Sequence, residues 1–335
     1  MTESATVATA DDCVTQAARL AGAGRVRDAE QSLLAGARAG NLAAAMQLAV
    51  WNLVGHPLPR NLPQARQILR QAAAGGHLDA ALMEVALTAN GSGGPADWRA
   101  ALALLATAAR SDDMARRQLE LLTKMDLDAA GAPRTMPAAE RLSAAPDVVR
   151  YHRLLSPAEC AHVTAAVHDL LEPSYVVDPQ SGRHVAHPIR TSDGAVIGPT
   201  REDLVIRAIN RRIAAISDTD IDQGEALSVL RYRPPQQFRM HHDAIGGVAN
   251  QRVKTVLVYL NDGFAGGETY FPAADLTISP AQGDAVLFVN ADAAGLPDPL
   301  ANHAGLPVRA GVKWLATRWI RAHPIDPWNL AGTAN

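Results

Sequence analysis

The stretch from Asp28 to Ala44 is written a second time, 36 residues later, from Gln64 to Ala80. Asp28-Ala29-Glu30 lines up with Gln64-Ala65-Arg66. Ala39-Gly40-Asn41-Leu42-Ala43-Ala44 lines up with Gly75-Gly76-His77-Leu78-Asp79-Ala80. A weaker third copy runs from Arg99-Ala100-Ala101 through Ala108-Ala109 to Met114-Ala115. From about Asp12 to Leu122 the chain is rich in Ala and Leu and poor in β-branched residues, which favours helix. A period in the thirties accommodates two helices per unit. Such a unit buries its apolar face only against a neighbouring copy, so the pattern predicts a helical solenoid over residues 10–122. Ala72, Ala73 and Ala74 let helices approach closely, and Gly40 and Gly76 stand where one helix must stop. His56 and His77 read as solvated or capping residues.

The period is lost after residue 122. Residues 123–148, with Gly131, Pro133, Pro137 and Pro146 among Ala, Asp and Arg, read as a linker. Beyond it, Leu155-Ser156-Pro157-Ala158-Glu159-Cys160 opens a helix. Ser156 is its N-cap, Pro157 its first residue and Glu159 the closing member of a capping box, and the helix is expected to reach Leu171. Ser174 to Asp178 reads as a strand, and 201–217 as a second helix. Strands then dominate: 227–233, 237–243, 252–261, 267–271, 276–278, 284–289, 306–309 and 312–321. Short strands punctuated by Gly and Pro predict a double-stranded β-helix, or jelly roll, over residues 149–325 with the helices packed outside it. The whole chain is then an α+β multidomain protein, a helical solenoid followed by a jelly roll.

Within that domain, Arg239-Met240-His241-His242-Asp243 places an imidazole and a carboxylate two residues apart on a strand. They point to one side because side chains alternate with period 2. His303 is the candidate third ligand. Two His and one carboxylate on one face of a metal form the triad of non-haem Fe(II) oxygenases. His242 lies between the two and points away. Period 2 also places Lys313, Leu315, Thr317 and Trp319 on one face of the last strand, with Leu230 and Tyr232 sharing a face of an earlier one. A buried ammonium must be paired, and a dicarboxylate ligand pairs Lys313.

These residues resemble a known family. Tyr232-x-x-Pro235-Gln236-x-Phe238-x-x-His241-x-Asp243 is similar to the motif of prolyl 4-hydroxylases, Fe(II)/2-oxoglutarate dioxygenases. Arg252-x-x-Thr255, Tyr259-Leu260-Asn261 and Gly266-Gly267-Glu268-Thr269-x-Phe271-Pro272 follow in the same order. So do Pro280-x-x-Gly283-Asp284-Ala285, Phe288, His303-x-Gly305-x-Pro307-Val308, Gly311-x-Lys313-Trp314 and Trp319. Upstream, Leu155-Ser156-Pro157-x-Glu159-Cys160 and Arg190-Thr191-Ser192 also fit. The resemblance covers about residues 148–322. The N-terminal repeats resemble the Sel-type branch of tetratricopeptide-like repeats over about residues 10–122.

The resemblance implies the chemistry. His241, Asp243 and His303 bind Fe(II). Lys313 pairs with the distal carboxylate of 2-oxoglutarate, with Tyr232, Thr269 and Thr317 beside it. Arg252 and Trp319 line the approach of the target. O2 is the co-substrate, and ascorbate serves as reductant. The implied reaction hydroxylates a C–H bond of a prolyl residue in a peptide or protein and decarboxylates 2-oxoglutarate to succinate and CO2. The alternatives are the same chemistry on a free amino acid, small peptide or non-prolyl side chain, and an inactive peptide-binding scaffold. Pro235 stands where the family usually has Gly. Proline fixes φ and removes an N–H, so the preceding loop is expected to differ. The Gly266-Gly267 turn reads as structural, and residues 179–199 as a substrate loop. His152, His162, His168, His184, His187 and His323 read as surface histidines.

A net charge of −3 offers no footprint for nucleic acid. No apolar stretch reaches membrane-spanning length. The N-terminus has no signal-peptide pattern, and Cys13 and Cys160 are too few for a disulfide framework. A reducing cytoplasm is the expected compartment. The repeats are expected to dock a peptide or protein partner.

Overall fold

A computed structural model describes residues 10–177, 184–292 and 294–329. The chain divides near Glu120 into two compact units.

The described residues of the first unit form helices and no strand. Its helices are α1 (Ala10–Gly22), α2 (Val26–Arg38), α3 (Leu42–Val54), α4 (Leu62–Ala74), α5 (Leu78–Asn90), α6 (Trp98–Ala108) and α7 (Asp113–Lys124), the last of which runs past the division. The 36-residue period governs their starts, their stops and their cores. Asn61 and Asp97 cap α4 and α6 by accepting the backbone N–H groups of Gln64 and Ala100. Asn41 and His77 cap α3 and α5, His77 through Nδ1. Each cap satisfies a backbone donor that the helix itself leaves open. Gly40 and Gly76 take φ of +86° and +96°, where a Cβ is disfavoured, and so turn the chain between paired helices. Ala29, Ala65 and Ala101 are fully buried, as are Leu33, Leu69 and Leu105. The period breaks at one core position. Leu48 is matched 36 residues on by Glu84, which is 2% exposed. Glu84 survives there because Arg66 donates to it through Nε and Nη2 (2.7 Å for the latter) and Thr88 Oγ1 lies at 3.2 Å.

The second unit opens with a hairpin, β1 (Ala139–Ala144) and β2 (Asp147–Tyr151), inside the stretch expected to be a linker. It continues through helix α8 (Pro157–Ala165), then β3 (Glu172–Pro173), β4 (Tyr175–Val177), β5 (His184–Ala186) and β6 (Asp193–Ile197). Helix α9 (Leu204–Ser217) leads to β7 (Leu227–Tyr232), β8 (Phe238–His241), β9 (Arg252–Tyr259), β10 (Ala265–Gly266) and β11 (Thr269–Phe271). The last strands are β12 (Leu276–Ile278), β13 (Ala285–Val289), β14 (His303–Gly305), β15 (Val308–Ala310) and β16 (Lys313–Arg321). An eight-stranded sheet has the order β1-β2-β13-β9-β16-β7-β6-β3, and a four-stranded sheet the order β12-β11-β14-β8. Val148, Leu257, Tyr259, Phe271, Ile278, Val286, Phe288 and Leu315 form a shared core.

Several expectations change. The linker over 123–148 is cut short at Ala139 because β2 pairs with β13 and carries β1 with it. Helix α8 keeps the capping box, with Ser156 N–H donating to Glu159 at 2.6 Å, but ends at Ala165, well short of Leu171. The strand expected at 306–309 begins only at Val308, as β15, and a separate strand that was not expected, β14, precedes it, with Leu306 and Pro307 between the two. The expected strand end at Asp178, and residues 179–183 of the expected substrate loop, lie outside the described residues. Asp284 is a structural hub. It is 1% exposed and accepts from Arg153 N–H, Ala281 N–H and the Arg150 guanidinium. These donors outweigh its burial and hold its carboxyl below the usual range. Gly283 beside it has φ +83°, and a Cβ there lands 2.0 Å from the Leu155 carbonyl oxygen.

Candidate metal centre

The β8 and β14 strands pair antiparallel with His241 directly opposite His303. Their ring centroids are 4.2 Å apart. The β8 strand stops at His241, and Asp243 lies just beyond it, where its side chain still reaches the pair. Asp243 Oδ1 is 3.6 Å from His241 Nε2, and Oδ2 is 3.9 Å from His303 Nε2. The ligand atoms of all three lie within 4.8 Å of one another, and no other such group occurs among the described residues.

Each ligand is oriented from behind. His241 Nδ1–H donates to the Arg239 carbonyl at 2.7 Å, and His303 Nδ1–H to the Ala301 carbonyl at 3.0 Å. Both bonds fix the tautomer that leaves Nε2 free as a donor to a metal. Thr255 Oγ1 donates to Asp243 Oδ2 at 2.7 Å. Asn290 Nδ2 in turn donates to Thr255 Oγ1 at 2.8 Å. Burial pushes the His241 imidazole down to about 4, with the neighbouring His303 acting in the same sense, and burial also lowers His303. Both rings are neutral near pH 7, the form that binds a metal. Burial opposes ionisation of Asp243, but His303, His241 and the Thr255 hydroxyl outweigh it and keep the carboxyl below its ordinary range. Phe238 stacks on His241 at 3.5 Å, and Phe288 stands edge-on to His303 at 4.6 Å. Two neutral imidazoles and one carboxylate in an aromatic pocket are a donor set suited to a divalent first-row ion.

The three residues open into a cavity. Tyr232, Thr269, Lys313, Thr317 and Trp319 line it with the triad, so eight of the nine site residues expected from sequence converge there. The alignment is built by pairing across β16. Lys313 is opposite Tyr232, Leu315 opposite Leu230 and Tyr259, and Trp319 opposite Thr255. Lys313 is 2% exposed and has no carboxylate partner among the described residues. Its Nζ donates to the Gly267 carbonyl at 2.6 Å and lies 5.0 Å and 5.5 Å from the Tyr259 and Tyr232 ring centroids. Burial lowers its pKa to about 7, against a smaller opposing pull from Glu268. Burial likewise raises the Tyr232 hydroxyl to about 12, so it remains a hydrogen-bond donor. The glycine turn therefore does more than reverse the chain, since the Gly267 carbonyl holds the Lys313 amine.

Arg252 is the ninth expected residue, and it does not line the cavity. Its guanidinium forms a fork with Glu225 (2.7 and 2.8 Å) and lies 4.2 Å from the Trp319 ring centroid. It backs the tryptophan that does line the cavity. His242 faces away, as expected. Pro235 sits in the turn between β7 and β8, which Gln236 N–H closes onto the Arg233 carbonyl at 2.6 Å. Three of the histidines read as surface residues are engaged. His152 lies 2.8 Å from Glu140 while remaining exposed, His162 lies 2.7 Å from Asp203, and His187 stands edge-on to Phe238 at 6.1 Å.

Sequence reasoning gave no role to Thr255, Tyr259, Asn290 or Arg190. Alternation along β9 places Thr255, Leu257 and Tyr259 on one face, a signal that was present but unused. Tyr259 hydrogen-bonds Thr269 through their hydroxyls. Arg190 lies over Phe238 at 5.5 Å, with Nε donating to Ser174 Oγ at 3.1 Å. Asn290 carries no sequence signal, because its role depends on a strand end reached only in the folded chain.

A family model described as the 2OG-Fe(II) oxygenase superfamily matches residues 227–321. The chain is similar to prolyl 4-hydroxylase 1 of Arabidopsis thaliana, with 38% identity over 201 residues, 54% of this chain and 71% of that protein. Among solved structures, a 2OG complex of the viral collagen prolyl hydroxylase of Paramecium Bursaria Chlorella virus-1 is 29% identical. It covers 52% of this chain and 96% of its own, with a TM-score of 0.43. A Sel1 repeat protein from Oxalobacter formigenes is 23% identical and covers 34% of this chain and 49% of its own, with a TM-score of 0.30.

Proposed function

Since the chain belongs to the prolyl 4-hydroxylase family of 2OG-Fe(II) oxygenases, using Fe(II), 2-oxoglutarate and O2, we propose that its substrate is a prolyl residue in a polypeptide. The observation that carries the reading is the convergence of His241, Asp243, His303 and Lys313 on one cavity. His241, Asp243 and His303 hold the iron. When bound, Fe(II) supplies the dioxygen chemistry that couples decarboxylation of 2-oxoglutarate to hydroxylation of a C–H bond.

The chain's own residues do the rest. Lys313 binds the distal carboxylate of 2-oxoglutarate by a charge-assisted bond, strong in a poorly hydrated site. Tyr232 and Thr269 add hydrogen bonds, and Thr317 completes that wall. Trp319, held from behind by Arg252, presents a flat apolar face to a proline ring. Arg190 packs over Phe238, a residue of the cavity wall, and the described residues offer its guanidinium no carboxylate, which suits a peptide carbonyl. Phe238, Leu230 and Leu257 keep water from the metal side. Ascorbate maintains the iron in its reduced state. The helical repeats dock the polypeptide that carries the target, and two free cysteines suit a reducing cytoplasm.

The test is succinate formation with Fe(II), 2-oxoglutarate and a pool of proline-containing peptides, with mass spectrometry following the gain of one oxygen. His241→Ala is expected to abolish both products. Succinate without oxidised peptide rejects the prolyl substrate and points to a free amino acid or another side chain. Succinate formation unaffected by His241→Ala rejects the metal assignment.

A further inference from the structure

His242 stands between two residues of the metal site and points the other way. Its Nδ1 accepts Ala244 N–H at 2.9 Å, which leaves the proton on Nε2. That proton is donated to the Asp298 carbonyl at 2.8 Å. Asp298 opens the turn that delivers His303. Its carbonyl also accepts Ala301 N–H at 3.0 Å, and its Oδ1 accepts Leu300 N–H at 2.9 Å. The Ala301 carbonyl then orients His303.

From Asp298 the hydrogen bonds run back to the other side of the site. Asp298 N–H donates to the Asn290 carbonyl at 2.8 Å, and Asn290 Nδ2 to Thr255 Oγ1 at 2.8 Å. Thr255 Oγ1 donates to Asp243 Oδ2 at 2.7 Å. The circuit closes through the peptide bond between His242 and Asp243. It joins the carboxylate ligand to the segment carrying the third ligand, although 59 residues lie between Asp243 and His303 in the chain.

We propose that His242 is a positioning residue for the metal site. Its bond to Asp298 fixes the spacing of Asp243 and His303 before any ion arrives. The proposal rests on the assignment of His241, Asp243 and His303 as the metal ligands. Loss of a partner that bonds a metal ligand directly typically costs about 10- to 100-fold in metal affinity, and His242 holds Asp298, whose turn carries one such partner, the Ala301 carbonyl.

Two substitutions isolate the bond. His242→Phe fills similar space without a donor, and His242→Gln restores a side-chain N–H. Co(II) titrated into the purified full-length chain with 2-oxoglutarate present gives both a dissociation constant and a visible spectrum that reports ligand geometry. His242→Phe is expected to weaken Co(II) binding at least tenfold and to alter the spectrum. His242→Gln is expected to recover most of both. Wild-type binding by His242→Phe overturns the proposal, as does His242→Gln behaving like His242→Phe. Asn290→Leu opens the same circuit at its opposite corner and is expected to act in the same direction, which keeps the test open should His242→Phe not fold. His241→Ala is the control. If it binds Co(II) like wild type, the ligand assignment has failed; if it alone loses the ion, only the role of His242 has.

Discussion

Lys313 waits in the cavity beneath two tyrosine rings with a backbone carbonyl as its partner. Because burial brings its pKa down to about 7, a neutral amine is accessible to the ligand-free protein near neutral pH and dominates as pH rises. A bound dicarboxylate favours the charged form and raises that pKa. Above pH 7, 2-oxoglutarate binding therefore takes up a proton and weakens as pH rises, by up to about tenfold per unit; below pH 7 this dependence disappears. Calorimetry in buffers of different ionisation enthalpy measures the uptake. The sign for folding is opposite to that of a paired lysine. The depressed pKa costs the ligand-free fold stability below pH 7, and the cost shrinks as pH climbs toward 10.5. Lys313→Met removes the anchor and is expected to weaken 2-oxoglutarate at least about thirtyfold, the low end of what truncating one member of a buried charged pair costs. Binding of oxalate, which has no distal carboxylate, is expected to stay within a few-fold.

At the scale of elements, the repeat helices rely on periodic alanine and leucine, except where Glu84 replaces the leucine of the preceding copy. An ion pair buried this deeply adds little net stability when intact, because desolvation offsets the attraction. Removing one partner leaves the other charge stranded. Glu84→Ala is expected to destabilise the helical unit by about 3–5 kcal/mol in denaturant melts, and Glu84→Leu with Arg66→Met by far less. How far such elements are legible depends on where their stability comes from. Helices α2 to α6 announce themselves because caps, glycine stops and core residues repeat at fixed spacing. The hairpin of β1 and β2 does not. Ala139-Glu140-Arg141-Leu142-Ser143-Ala144 lacks alternation because the strand is an outer edge, exposed over much of its length, and exists through pairing rather than through a buried face. His241, Asp243 and Lys313 were legible from strand alternation, whereas His303 was carried by the family resemblance. Arg252 was misplaced because nothing in the sequence reveals that Glu225 draws its guanidinium behind Trp319. The roles of Asn290 and Asp298 depend on backbone groups, which no side-chain pattern records.

At the scale of the molecule, the chain is two compact units, and every residue of the metal cavity belongs to the second. Removing residues 1–124, so that α7 leaves whole, is expected to preserve 2-oxoglutarate turnover without target. The same truncation is expected to reduce hydroxylation of a protein target about tenfold or more, while a short peptide is processed as before. Equal loss on both substrates assigns the repeats a purely structural part. The second unit also carries a mechanical consequence of its topology. The β8 strand is the last of its four-stranded sheet; it pairs with β14 on one side, and on the other the 189–191 segment bridges it, with Arg239 N–H donating to the Ile189 carbonyl at 2.8 Å and Thr191 N–H to the Gln237 carbonyl at 3.0 Å. One metal ligand stands on each of those two strands, face to face. An ion shared between β8 and β14 is therefore a rivet through a seam, and stripping it leaves that seam to its backbone bonds alone. Loss of the ion is then expected to loosen the fold as well as idle the enzyme, so thermal melts with and without added Fe(II) are expected to part, the metal-loaded protein melting higher.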